Sequence, residues 1–535
     1  MDKTKRQNYM FGAAILTAGV IIMKILGAIY KVPVANIIGD DGYSMFIATY
    51  SVYNVFLTLA TAGLPIAVSR LIAEANAEGR EMQSRATFKV SLKTFFVIGA
   101  VCSVIMLAFP NYIADSILHN PDAALSIRAM APSVLLVCLV SAYRGYCQGY
   151  ENMVPTTVGQ VLEVLIKVIV GLLLAAVIIR SGGSKAKGSA GAIFGVSAGS
   201  AAALVYMVLY KRKHYRFDVL ENPDIPDDDS RILCRLLRIG VPIALGSSVL
   251  SLLNLIDSSL CMDRLQSAAG FSLKESQVLY GVYGEAQTLF NLPAAFITPL
   301  TISVVPAISG ANVRRENDRA TKISEDSMRI AAAISMPMGV GLAVLSKPIM
   351  SVMYRGSHES GPTLLAIMGI ASFFVCIVLM ENAVLQASGR EKFTMYTMIG
   401  GGLVKIIINY FLIGNPDINI CGAPIGTLVS YLFMAIANYV VMCFALDKNP
   451  KVLNIVKAPL AASAAMGVAA FGVYELMHAI LKNSDWLHTL IAMGVAMIVA
   501  IVVYAFAAIR LKAITAEDLG LIPGGAKVAK LLHMN

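Results

Sequence analysis

The chain has 535 residues, of which 57% are hydrophobic and only 14% are Asp, Glu, Lys or Arg, with a mean hydropathy of +0.71. A soluble domain carries nearer a quarter charged residues, so this balance excludes an ordinary water-soluble globule. The formal net charge of +10 comes from basic residues flanking apolar segments, where they attract anionic lipid head groups, and is no ground for a nucleic-acid partner.

In chain order, spans are predicted near 10–32, 43–68, 90–110, 124–147, 155–179, 189–210, 236–260, 277–308, 327–346, 362–388, 393–413, 420–445, 455–480 and 486–510. That makes about fourteen segments, nearly all reaching the length a bilayer demands. Lipid cannot pair exposed backbone groups, and these runs do not alternate as barrel strands do. The fold class is therefore an all-α polytopic membrane protein. The start, Met1-Asp2-Lys3-Thr4-Lys5-Arg6, runs straight into a full-length span with no small-residue cleavage site. It is expected as a retained first helix. With the N-terminus inside, inner segments hold 30 Lys and Arg and outer loops hold 10, so both termini are predicted cytoplasmic. Arg180, Lys185 and Lys187 are the main exceptions.

Two stretches of the chain copy each other. Cys138, Gln148 and Lys167 match Cys376, Gln386 and Lys405, since 376−138, 386−148 and 405−167 all equal 238. Val68, Ile72, Ala75 and Asn76 match Val304, Ile308, Ala311 and Asn312 at 304−68 = 236. The chain is thus a tandem duplication of about six spans per copy. An even number of spans returns the chain to the same side, so the copies are expected to be parallel repeats. The boundaries are placed at 1–216 for an N-lobe, 217–231 for a polar cytoplasmic linker, 232–446 for a C-lobe and 447–535 for two further helices and a tail. The linker carries Asn222-Pro223-Asp224-Ile225-Pro226-Asp227-Asp228-Asp229. Prolines at 33, 65, 155, 293, 299 and 306 fall within spans or at their edge and are expected to kink some of them.

Of the charges that fall inside predicted spans, seven are singled out as candidates for a site: Lys24, Glu163, Lys167, Asp257, Glu285, Glu381 and Lys405. At about 2.5–3.5 kcal/mol each in lipid, they are expected to face one another or a watery cavity. The three lysines suit an anionic substrate, since an ammonium offers a point charge and several donors to phosphate. Glu163 and Lys167, four apart, could instead neutralise each other. The repeat equivalent of Glu163 is Gly401, so Lys405 has no such neighbour and would look to Asp257 or Glu381. Asp257 with Asn409 is a candidate cation site, because both offer hard oxygens. Lys24 could also snorkel to an interface. Arg70, Glu74 and Arg144 are expected as interface anchors or gate pairs. Eight scattered cysteines without a CxxC suggest neither a metal site nor disulfides. No Walker motif or nucleophile elbow is present, so no enzyme activity and no bound cofactor are expected. Uphill transport would then draw on a sodium or proton gradient, the potential or substrate supply.

Fourteen spans, a twelve-helix repeat and two added helices resemble the multidrug/oligosaccharidyl-lipid/polysaccharide exporter superfamily. Within it the chain is most similar to the stage V sporulation protein B and lipid II flippase branch. Lys24-Ile25-Leu26-Gly27, Tyr283-Gly284-Glu285-Ala286-Gln287, Asn291-Leu292-Pro293, Val305-Pro306-Ala307-Ile308-Ser309 and Gln386-Ala387-Ser388-Gly389 carry the resemblance. It implies export of an undecaprenyl-pyrophosphate-linked sugar across the cytoplasmic membrane, for cell wall (peptidoglycan) or polysaccharide assembly, cell shape or sporulation. It also implies a cationic cavity between two lobes and a groove for the lipid tail beside the last two helices. Cell-wall synthesis proteins are implied as partners, and one chain would suffice as a monomer. The substrate-binding set is then Lys24, Lys167, Lys405, Glu163, Glu285, Asn291 and Glu381. The branch's arginines are not all matched: Lys24 takes the place of one, while Leu57, Thr58, Gln287 and Thr288 stand where others are expected. A drug/cation antiporter of the same superfamily is the competing expectation, and a non-transporting scaffold for wall synthesis is a third.

Overall fold

The computed structural model describes residues 9–214, 224–445, 452–481, 485–511 and 513. Sixteen longer α-helices account for nearly all of them: α1 Tyr9–Thr61, α2 Leu64–Ala77, α3 Glu81–Ala108, α4 Ala124–Gly149, α5 Val154–Arg180, α6 Lys185–His214, α7 Asp229–Ser267, α8 Leu273–Phe290, α9 Leu292–Val313, α10 Asn317–Val344, α11 Ser346–Met353, α12 Gly361–Ala387, α13 Glu391–Ile413, α14 Gly422–Ala445, α15 Val452–Leu481 and α16 Trp486–Arg510. No strand occurs among the described residues. Among the described residues, thirteen segments are long and apolar enough to cross a membrane. Two of the expected spans merge in α1, whose helix is broken at Gly39 with φ 72° and ψ 173°. That backbone lies where a side chain is strained and glycine is not.

The prolines divide by position. Pro65, Pro155 and Pro293 sit in the first turn of α2, α5 and α9, where the missing N–H was unpaired anyway. Pro33, Pro299 and Pro306 lie inside helices. The expected span at 277–308 is in fact two helices, α8 and α9, parted at Asn291.

The chain packs as two units, residues 1–267 with 271–281, and residues 268–270 with 282–535. The first contains α1 to α7 and the start of α8. Here α7, which the duplication assigns to the second copy, packs on α1, α2 and α3. A Cβ at Gly63 would collide with the Gly240 carbonyl, so the two backbones touch. The Thr58 and Ser251 hydroxyls bond at 2.7 Å further along. Tyr30, Tyr43, Phe46, Tyr50 and Tyr53 form an aromatic chain within α1, with centroids 4.8–6.0 Å apart. The expected linker is described from residue 224 onward; 217–223 lie outside the described residues.

In the second unit, α9, α10, α12 and α14 enclose a core that includes Met328, Ala331, Cys376, Val384 and Met434. The extra pair, α15 and α16, packs on α10 and α11 through Leu345, Met466, Ala470, Ala492 and Ala496. Tyr504 donates to the Ala333 carbonyl and Trp486 Nε1 to the Val352 carbonyl, the latter at 3.0 Å. These bonds pin the appended helices where apolar contact alone would let them slide.

Candidate functional site

The first unit assembles a polar site from three helices. On α6, Gly191, Gly195 and Gly199 recur every fourth residue and let α5 approach closely. A Cβ at Gly195 would lie 2.6 Å from the Lys167 carbonyl oxygen, and one at Gly199 would collide with the Glu163 carbonyl. The contact brings Ser200 to Glu163, and Ser200 Oγ donates to Glu163 Oε1 at 3.1 Å. From α4, Arg144 Nη2 donates to Glu163 Oε2 at 2.7 Å. Both carboxylate oxygens are thereby satisfied, with the Arg144 and Glu163 side chains only 15% and 19% exposed.

Spacing alone points to Lys167 as the partner of Glu163; its direct partner is Arg144, on another helix. Lys167 instead lies with Nζ 5.7 Å from the Tyr30 ring centroid, within cation–π range. Tyr30 is held by its own hydroxyl bond to the Ala192 carbonyl at 2.7 Å. One carboxylate thus stands among two basic side chains, on helices long and apolar enough to cross a membrane.

The second unit carries a related cluster. Thr397 Oγ1 on α13 donates to Asn438 Oδ1 on α14 at 2.6 Å. Asn438 Nδ2 donates to Asn382 Oδ1 on α12 at 3.0 Å. Glu381 is 2% exposed, and its Oε2 has no hydrogen-bond partner among the described residues. The duplication offset links the two clusters: 382−144 and 438−200 both equal 238. Asn382 stands where the first copy has Arg144, and Asn438 where it has Ser200. The Glu163 place is taken by Gly401, and Met434 packs into the space its side chain would need. Lys405, the counterpart of Lys167, is half-buried on α13 and is not without a partner.

The remaining predicted residues fall elsewhere. Asp257 is buried on α7 in the first unit, and Asn409 is buried on α13 in the second, against Gly426. The two halves of the candidate cation pair therefore belong to different units. Glu285 is buried on α8, where its Oε2 accepts from Ser357 Oγ at 2.8 Å and its carbonyl from the Tyr354 hydroxyl at 3.3 Å. Those bonds anchor the loop after α11. Asn291 is exposed at the α8–α9 break, with its amide on the Gln287 carbonyl. Lys24 lies on α1, with its side chain outside the described residues. Arg70 pairs with Glu74 at 2.9 Å, and Glu74 with Arg235 at 2.7 Å, as an exposed charge network at the end of α2.

Sequence reasoning does not reach the roles of Ser200, Thr397 and Asn438, nor the pairing of Arg144 with Glu163. The signal for three of these residues is the 238-residue offset, which carries Arg144 to Asn382 and Ser200 to Asn438.

A family model described as "Polysaccharide biosynthesis protein" matches residues 10–312, and a second of the same description matches 269–360. Stage V sporulation protein B of Bacillus subtilis (strain 168) is 26% identical over 81% of this chain and 83% of its own. Lipid II flippase MurJ of the same organism is 24% identical over 86% of this chain and 87% of its own. Among solved structures, "Lipid II flippase MurJ, inward closed conformation" has a TM-score of 0.69 at 13% identity, covering 93% of this chain and 99% of that one. An inward-facing multidrug resistance MATE family transporter of the MOP superfamily has a TM-score of 0.65 at 15% identity, covering 81% and 97%. The chain belongs to the polysaccharide biosynthesis protein family, with the fold of these MOP-superfamily proteins.

Proposed function

We propose that this chain is a membrane exporter, not an enzyme, which carries an undecaprenyl-pyrophosphate-linked sugar across the cytoplasmic membrane by alternating access of two lobes. The observation that carries this is the pair Lys167 and Lys405. They hold equivalent places in the two copies, on α5 and α13, inside membrane helices where charge is expensive. Retaining a cation twice at that depth suits a pyrophosphate and does not suit a cationic drug. The family and the relative named lipid II flippase favour lipid II as the cargo. Both termini would face the cytoplasm, one chain would suffice, and a sodium or proton gradient or the membrane potential would drive the cycle.

A drug/cation antiporter is the second reading. The buried Glu381 and the likeness to multidrug transporters favour it.

The test is complementation in cells depleted of their own lipid II flippase, with membrane expression checked by blot. Wild type is expected to rescue growth, and an equally expressed Lys405→Ala to fail. Well-expressed wild type that does not rescue would refute lipid II as the cargo. Rescue by both would remove Lys405 from the substrate path.

A further inference from the structure

Helix α3 lacks a cap of its own. Its N-cap residue is Arg80, whose side chain makes no capping bond, and the chain enters through Gly79 at φ 70°. The first N–H groups of a helix need acceptors, and Asp is among the best at supplying them. Here the acceptor arrives from far along the chain. Asp224 Oδ1 accepts from the Met82 N–H at 2.6 Å, and Asp224 Oδ2 from the Gln83 N–H at 3.0 Å. These are the second and third residues of α3, the positions an N-cap side chain serves.

Neighbouring bonds extend the contact. Arg80 Nη2 donates to the Ile225 carbonyl at 2.9 Å and lies 3.4 Å from Asp227 Oδ1. Gln83, which is buried, is used twice: Oε1 accepts from the Asp227 N–H at 2.7 Å, and Nε2 donates to Asp227 Oδ2 at 3.3 Å. Lys93 pairs with Asp229 at 3.4 Å, and Arg235 with Glu74 at 2.7 Å. Arg80 and Gln83 lie on the α2–α3 turn and the first turn of α3; Asp224 and Asp227 lie on the polar segment that joins the two copies.

We propose that residues 224–229 form an electrostatic strap that clamps the end of the linker and the start of α7 to the α2–α3 hairpin by capping α3 in trans. The polar run then acts as a fixed part of the first unit rather than a loose tether. If the exporter reading above holds, on which this consequence rests, alternating access is not absorbed at 224–229 unless the strap releases. Only its outer pairs, Lys93–Asp229 and Arg235–Glu74, are exposed and weaken as ionic strength rises, while the shielded cap is screened much less.

The strap is tested by hydrogen–deuterium exchange on the full chain in lipid nanodiscs, following peptides across 81–89 and 224–232. Wild type is expected to protect both. Asp224→Ala is expected to speed exchange in both peptides by roughly 5- to 30-fold, the range that loss of one cap implies. Gln83→Ala leaves the cap in place and is expected to loosen 224–232 with a smaller change at 81–89. Wild-type rates at 224–232 in both variants would overturn the proposal. So would Asp224→Ala loosening 81–89 alone, since the linker would then be held by something else. Size-exclusion profiles identify variants that fail to fold, and Gln83→Ala then decides. The readout needs no transport, so the strap and the exporter reading fail separately.

Discussion

Ser200 and Asn438 hold the same place in the two copies, 238 residues apart, and each bonds a polar side chain on a neighbouring helix. Ser200 serves one carboxylate oxygen. Asn438 serves Thr397 and Asn382 together. Losing Asn438 therefore strands more buried polar groups than losing Ser200 does. Asn438→Ala is expected to cost roughly 3 kcal/mol and Ser200→Ala about 1 kcal/mol. Thermal unfolding in detergent, read by intrinsic fluorescence, compares them. Equal losses would mean that the Asn438 network does not hold its three helices.

The Arg144–Glu163 pair is mostly shielded from water, so removing one partner leaves a charge that is hard to solvate. Arg144→Met and Glu163→Gln are each expected to destabilise by about 2–3 kcal/mol. The double variant is expected to cost less than the two losses combined, because it strands neither charge. Strict additivity in a double-mutant cycle would show the two groups to be energetically independent.

Close packing of α5 on α6 sets the position of both Glu163 and Lys167. Gly199→Leu has no room for its side chain and is expected to cost about 1–3 kcal/mol through overpacking. Gly182, at a positive-φ turn with open space around it, would be strained by a side chain but would not part the helices. A crosslinking pair spanning α5 and α6 should lose efficiency in Gly199→Leu and keep it in Gly182→Ala. Unchanged crosslinking in Gly199→Leu would show that the glycines do not set the helix spacing.

Lys167 and Lys405, if each serves the pyrophosphate of the proposed cargo, should act alike. Each alanine variant is expected to weaken binding of undecaprenyl pyrophosphate by roughly tenfold, about 1.4 kcal/mol, with Lys→Arg retaining most of it. Native mass spectrometry with the lipid titrated into wild type and both variants measures this. A loss confined to one lysine would break the symmetry on which the proposal leans.

Much of the fold is legible in the order of the amino acids. Composition and run length are enough for a helical membrane protein, because lipid leaves the backbone no other way to pair its groups. The duplication is visible as a constant offset, and it leads directly to Lys167 and Lys405. Pair identity is less accessible. Glu163 has Lys167 one turn away, so local spacing favours that pair; Arg144 reaches it only because α4 packs beside α5 and α6.

The sequence by itself determined that this chain is a helical membrane protein, and it displays the internal repeat and the charges that fall within apolar segments. Those follow from local hydrophobicity and from spacing along a single chain. Only the tertiary structure decided which charges meet, that α7 packs with the first unit, that Glu285 anchors a loop, and that Asp224 caps a helix 142 residues away. Such choices depend on which helix faces come together, and that is a property of packing between segments that no single segment encodes.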